Sequence, residues 1–216
     1  KRTTAMVGHT RYATTGSPSI NANNHPIWDA PIIGVHNGIL TNHKALDAKY
    51  DSNAEVDSAA AIAAIRHQVE DGSSMTTKKV ADACSEVSGV YTFVVADVRT
   101  GKVWTARNTN PLVFFDDAAH GLLWFASTAP IMRESFPKAT LTEQPEYSVM
   151  QLLPTGLRDA EAIARKATQT YRHDGYDQSE LFTSEQRDGY SVWKQRIADW
   201  DEDCEEEYGD TRYVSH

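Results

Sequence analysis

The arrangement of apolar and polar positions changes character about two-fifths of the way along the chain. In the first part, "SAAAIAAIRHQVE" after Asp57 has the alanine content of a strong helix, with Ile62, Ile65 and Val69 on one face. Asn42 is placed to cap a shorter helix running toward Tyr50, and Thr76 or Thr77 begins another that carries Val80, Ala83, Cys84 and Val87. Ahead of these, Thr4–Gly8 fits a short strand and the Asn- and Pro-rich Ser17–Asp29 reads as a loop. "PIIGVHNGIL" reads as a buried strand, a tight turn at Asn37-Gly38 and the start of a second strand. From Gly89 onward the apolar runs become strand-like: "VYTFVVADVRTGKVWTARN" is a hairpin around "RTGK", and "PLVFF" with "GLLWFAS" forms a second pair around "DDAAH". One helical turn over Pro130–Glu134 and a final strand in "LTEQPEYSVMQLLP" follow. Beyond Gly156, "RDAEAIARKATQTY" suits one more helix. Helices first and antiparallel strands afterwards is an α+β pattern, without internal repeats.

The remainder of the chain has no sustained period and is rich in Asp, Glu, Tyr and Trp. Residues 1–156 therefore read as one domain, and 157–216 as a helical, then acidic and aromatic extension that wraps a neighbour or stays mobile. Charge separates the two regions as well. The net charge is −9; 13 acids and 4 bases fall from Asp174 onward, while the preceding 173 residues carry 17 of each. An acidic tail repels nucleic acid and anionic membrane, and a neutral body has no electrostatic footprint for DNA or RNA. No apolar run approaches the roughly 18–20 residues of a membrane span, and no signal peptide is visible. The chain opens on Lys1, so residues could precede it. Cys84 and Cys204 lie far apart and outside any CxxC pair, which suits a reducing, cytoplasmic setting and argues against disulfides or a thiolate zinc site.

Candidate chemistry is concentrated in the first 60 residues. Arg11, His25, Asn37-Gly38 and Asp57 all fall in loops or at element ends, where sites are usually built. Arg11, in "GHTRYATTG", offers a planar fork for a carboxylate, and Asp57 at a helix start could accept from an ammonium group. A free amino acid presents one of each. Asn37 and Gly38 could aim a side-chain amide and a backbone N–H at one oxygen, an oxyanion-hole arrangement. Plainer readings stand beside these. Arg11 and Asp57 could pair with each other, Asp57 could be only an N-cap, and "HNG" could be only a hairpin turn. His9, His25, His36 and His43 lack metal-ligand spacing, and Cys84 reads as a core residue.

Taken in order, "GHTRYATTG", "NNHP", "GVHNGILTNHKAL" and "EVD" at a helix start resemble the glutaminase domain of class II glutamine amidotransferases, which are N-terminal nucleophile hydrolases. "SGVYTFVVAD", "ARNTNPLVF" and "FASTAPI" extend the resemblance from about Gly8 to about Leu153. It implies a four-layer αββα sandwich of two antiparallel sheets between helical layers, here lacking its first strands. It also implies attack on the glutamine side-chain amide by an N-terminal cysteine, whose α-amino group serves as the base. A γ-glutamyl thioester forms, ammonia leaves for a second active site, and water releases glutamate, with no cofactor or metal. On that pattern Arg11 holds the substrate α-carboxylate, Asp57 the α-ammonium, and Asn37 Nδ2 with the Gly38 N–H the oxyanion. Thr14 shapes the pocket, Tyr12 supports it, and His25 is structural.

Two departures stand out. The family's "ASD"-like turn reads Ala126-Ser127-Thr128, and no cysteine lies before Cys84. The nucleophile is then expected from an N-terminal segment or a separate chain outside these residues. The expected partners are glutamine and an acceptor synthase or ligase docked through the acidic tail, within a complex. Stand-alone versions of the domain occur in the family, including phage-encoded ones beside amidoligase-like enzymes. The competing expectation is therefore a catalytically inactive assembly module on the same scaffold, associated with a virion if phage-encoded.

Overall fold

The computed structural model describes residues 5–10, 16–52, 55–153 and 156–164. Two antiparallel sheets carry the fold, flanked by helices. The larger sheet has strand order β1-β2-β3-β4-β8-β9, built from Ile27–Asp29, Ile32–Leu40, Gly89–Asp97, Lys102–Arg107, Ser148–Leu153 and Gly156–Ala162. The smaller has order β6-β5-β7, from Leu122–Ala126, Val113–Asp117 and Thr142–Glu143. This is the α+β architecture of two antiparallel sheets between helices that the sequence leads one to expect.

Helices α2 (Asp57–His67) and α3 (Thr77–Cys84) pack on the larger sheet, α1 (His43–Tyr50) packs on α2, and α4 (Ala129–Ser135) packs on β5 and β6. Every residue of α2 from Asp57 to Ile65 is buried. Its alanines allow the helix axis to come close to the sheet, and Gly34 of β2 makes room for it. A Cβ at Gly34 would lie 2.5 Å from Ile62 Cδ1. Burying Ile62 and Ile65 contributes about 1.5–3 kcal/mol each. At α3 the cap is Thr76, whose Oγ1 accepts from the Lys79 N–H at 3.2 Å. Buried Trp104 of β4 donates from Nε1 to Thr77 Oγ1 at 3.2 Å, tying that helix start to the sheet.

Several local expectations are corrected. Asn37-Gly38 is not a turn: β2 runs through it without a break, pairing with β3 from Ile32↔Asp97 to Leu40↔Gly89. The reversal falls at Ala30-Pro31, between β1 and β2, and the end of the expected loop Ser17–Asp29 is strand β1. Gly38 is required for a different reason. Its φ is +138°, and a Cβ there would meet Val90 O at 2.0 Å, so the close approach of two backbones, not a reversal, selects glycine. Asn42 precedes α1, yet its side chain makes no cap. It donates to Glu86 O and accepts from Ser88 N, both at 2.8 Å, joining the start of α1 to the entry of β3. Residues 5–8 are irregular rather than a strand. Arg158–Ala162, the start of the expected helix, belongs instead to strand β9 (Gly156–Ala162), because pairing with the free edge of β8 overrides local helix propensity. The rest of that predicted helix, from residue 165, and the acidic tail lie outside the described residues.

Candidate functional site

The site is built where β2 meets the start of α2. Asn37 and Gly38 are adjacent in the strand, and Asp57 is the first residue of the helix. Buried Asp57 accepts at Oδ2 from the Leu40 N–H and at Oδ1 from its neighbour Ser58 N–H, both at 2.9 Å. A second tie lies beside it: His36 Nδ1 and Ser58 Oγ are 2.9 Å apart. The strand carrying Asn37-Gly38 is therefore clamped to the helix carrying Asp57 at two points, His36 and Leu40, on either side of the pair.

The His36 ring is buried and lies 4.8 Å from that of Phe93. Burial holds its imidazole below the ordinary range; the Asp57 carboxylate opposes this, and His9 adds to it. His9 Nε2 lies 3.0 Å from the His36 carbonyl oxygen, and its ring lies 4.2 Å from that of His25. His25 thus sits in the loop before β1, against the segment that leads to Arg11. Arg11, Tyr12 and Thr14 themselves lie outside the described residues.

On the other side of β2, Asn110 Nδ2 donates to the Asn37 carbonyl at 2.8 Å. Thr92, which faces Asn37 in the ladder, donates from Oγ1 to the Asn110 carbonyl at 3.0 Å. Neither residue stands out in the sequence; the usable hint is Asn110 immediately before Pro111, in "ARNTNPLVF".

Cys84 is in the core, and burial pushes its thiol up to about 12, so it is no nucleophile. Thr128 stands before α4 without capping it, its buried Oγ1 unpartnered among the described residues. Among those residues no group of three His, Cys, Asp or Glu side chains is placed to hold a metal, and no helix is long and apolar enough to cross a membrane.

A family model described as a glutamine amidotransferase domain matches residues 9–134. The glutamine–fructose-6-phosphate aminotransferase [isomerizing] of Streptococcus agalactiae serotype V is 29% identical over 116 residues, covering 51% of this chain and 19% of that protein. Its namesake in Lactococcus lactis subsp. lactis is 32% identical over 116 residues, with the same 51% and 19% coverage. That of Salmonella typhimurium is 34% identical over 113 residues, covering 50% and 18%. The chain thus spans about a fifth of the length of these relatives. Among solved structures, the glutamine phosphoribosylpyrophosphate amidotransferase of B. subtilis superposes with a TM-score of 0.53 at 17% identity, over 73% of this chain and 34% of that one. A structure described as the allosteric regulatory enzyme of purine biosynthesis gives 0.54 at 18% identity, over 73% and 35%.

Proposed function

Because this chain belongs to the glutamine amidotransferase domain family, we propose that its site binds glutamine, hydrolyses the side-chain amide to glutamate and passes the ammonia to a partner synthase or ligase. The observation that carries this reading is the bond from the Leu40 N–H to Asp57, which sets a buried carboxylate two strand positions beyond Gly38. Two positions in a strand span about 7 Å. The ammonium nitrogen and amide oxygen of an extended glutamine are about 6 Å apart by ordinary bond lengths. A carboxylate held at the Leu40 amide and a donor at the Gly38 amide are thus spaced on the scale of the two ends of the substrate.

In this reading Asp57 binds the α-ammonium group, Arg11 the α-carboxylate, and Thr14 shapes the pocket between them. Asn37 Nδ2 and the Gly38 N–H receive the negative charge that develops on the amide oxygen when a thiolate attacks its carbon. Such donors act most strongly on the transition state, where the charge is largest. The carbon–nitrogen bond then breaks, ammonia departs with a proton, and water cleaves the thioester to glutamate. In this reading the attacking thiol is that of an N-terminal cysteine, and buried Cys84 does not supply it. Glutamine as substrate is supported by the names of the relatives; the acceptor docks on the acidic tail.

The test is glutamate release from glutamine by the full-length protein, paired with intact mass and N-terminal sequencing of the native product. A product or co-purifying chain beginning with Cys, together with glutamate release, is expected. Absence of glutaminase activity with that cysteine demonstrably present overturns the reading. The competing reading is a catalytically inactive assembly module on the same scaffold. A native product beginning at Lys1, with no partner chain and no turnover, would be its signature.

A further inference from the structure

The peptide unit between Asn37 and Gly38 has two ends, and only one belongs to the proposed oxyanion site. Its carbonyl oxygen receives the Asn110 side chain at 2.8 Å. Among the described residues only His25-Pro26 and Ala30-Pro31 are cis, so this unit is trans. In a planar trans unit the N–H points opposite to the C=O. The Gly38 N–H is therefore aimed directly away from Asn110.

Nothing in Gly38 itself sets that direction. A residue with a Cβ is confined to a few backbone wells, whereas glycine at φ +138° is not. The ladder to β3 holds the strand on either side of the plane, and the bond at its carbonyl adds a constraint on its direction. Asn110 is well suited to supply it. It is 2% exposed, its carbonyl is held by Thr92 Oγ1 at 3.0 Å, and Pro111 restricts its backbone to extended conformations. Thr92 in turn faces Asn37 across the ladder, which closes a loop of three residues around the peptide. A hydrogen bond accepted at the carbonyl also polarises the unit and strengthens its N–H as a donor.

We propose that Asn110 is a positioning residue for the oxyanion donor: its carboxamide, held by Thr92, fixes the Asn37-Gly38 plane and so the direction of the Gly38 N–H. Its effect on turnover rests on the glutamine-hydrolysis reading; its effect on the peptide does not. A buried asparagine that merely satisfies a carbonyl would alter stability alone.

Two readouts separate these cases. In the full-length protein, Asn110→Asp replaces the donating NH₂ with an oxygen at nearly constant shape. It should lower kcat for glutamate release about ten- to a hundredfold with KM almost unchanged, a smaller loss than deleting an oxyanion donor outright. Its ¹⁵N resonance for Gly38 should shift while those of Ile33–Val35 stay in place. Thr92→Val should produce the same changes more weakly, Thr92→Ser should restore them, and this pair decides the matter if Asn110→Asp does not fold. Unchanged kcat, or an unmoved Gly38 resonance, overturns the proposal. If the unsubstituted protein bearing its N-terminal cysteine releases no glutamate, the hydrolysis reading fails, and the Gly38 resonance alone then upholds or overturns the role of Asn110.

Discussion

The Asp57 carboxylate accepts the backbone N–H of Leu40 at 2.9 Å, across 17 positions of sequence. A helix start is thereby joined to the far end of the strand that holds Asn37 and Gly38. One carboxylate serves two purposes here: it satisfies buried amides and it presents an acidic group two strand positions beyond Gly38.

Those purposes separate by substitution. Asp57→Asn keeps an oxygen for the Leu40 N–H but loses the charge. Because Asp57 also accepts from the Ser58 N–H, the new NH₂ leaves one of two buried donors unpaired. The substitution should therefore cost about 1–3 kcal/mol in urea while sharply raising KM for glutamine. Asp57→Ala leaves both the Leu40 and the Ser58 N–H unpaired and should cost a further ~1–3 kcal/mol of stability. Equal KM values for the parent and Asp57→Asn would remove Asp57 from the substrate site.

Gly38→Ala tests the backbone contact. Its Cβ would sit 2.0 Å from Val90 O at a φ of +138°, so β2 and β3 would have to separate. A loss of about 3 kcal/mol or more in chemical denaturation is expected. A loss below about 1 kcal/mol, in the range of an ordinary glycine-to-alanine change, would contradict the geometry.

The two ends of the proposed substrate give different kinetic signatures. Asn37→Ala should mainly lower kcat, by about 10²–10³-fold. Arg11→Ala should mainly raise KM. Steady-state assays with glutamine over a wide concentration range distinguish the two, and an Asn37→Ala enzyme with unaltered kcat would exclude its side chain from the oxyanion site.

His36 makes stability depend on pH. Its folded imidazole is held below the ordinary 6.5 by burial, with His9 adding to this and Asp57 opposing it. As pH falls through about 6.5, the unfolded chain takes up this proton before the folded one does, so stability is lost on acidification and is fully present above that value. Urea titrations at pH 7.5 and 5.5 should show a smaller acid-induced loss in His36→Gln than in the parent.

Cys84, with a thiol pushed up to about 12, should resist alkylation at neutral pH until urea is added. Peptide mapping after iodoacetamide treatment checks this residue separately from Cys204. Rapid modification in the native protein would mean that α3 opens readily.

Much of the architecture is written locally. Periodicity and propensity suffice for α2, where alanines and isoleucines repeat at helical spacing, and for the hairpin of β3 and β4 around "RTGK". A strong local pattern misleads where a distant partner outweighs it. "HNG" has turn chemistry yet lies inside β2, because nine residues of β3 pair along its whole length. The alanine-rich run after Gly156 begins as a strand, because β8 has an edge to fill.

The sequence by itself determined the α+β class, the long buried helix and the identity of Asn37, Gly38 and Asp57 as candidates, since residue type and spacing are enough for each. Tertiary structure decided what those candidates touch. That Asp57 reaches Leu40, that His36 meets Ser58, and that Asn110 grips a carbonyl 73 positions away all depend on register and chain crossing. A hydrogen bond is specific to a few tenths of an ångström, and no local pattern carries that information across such distances.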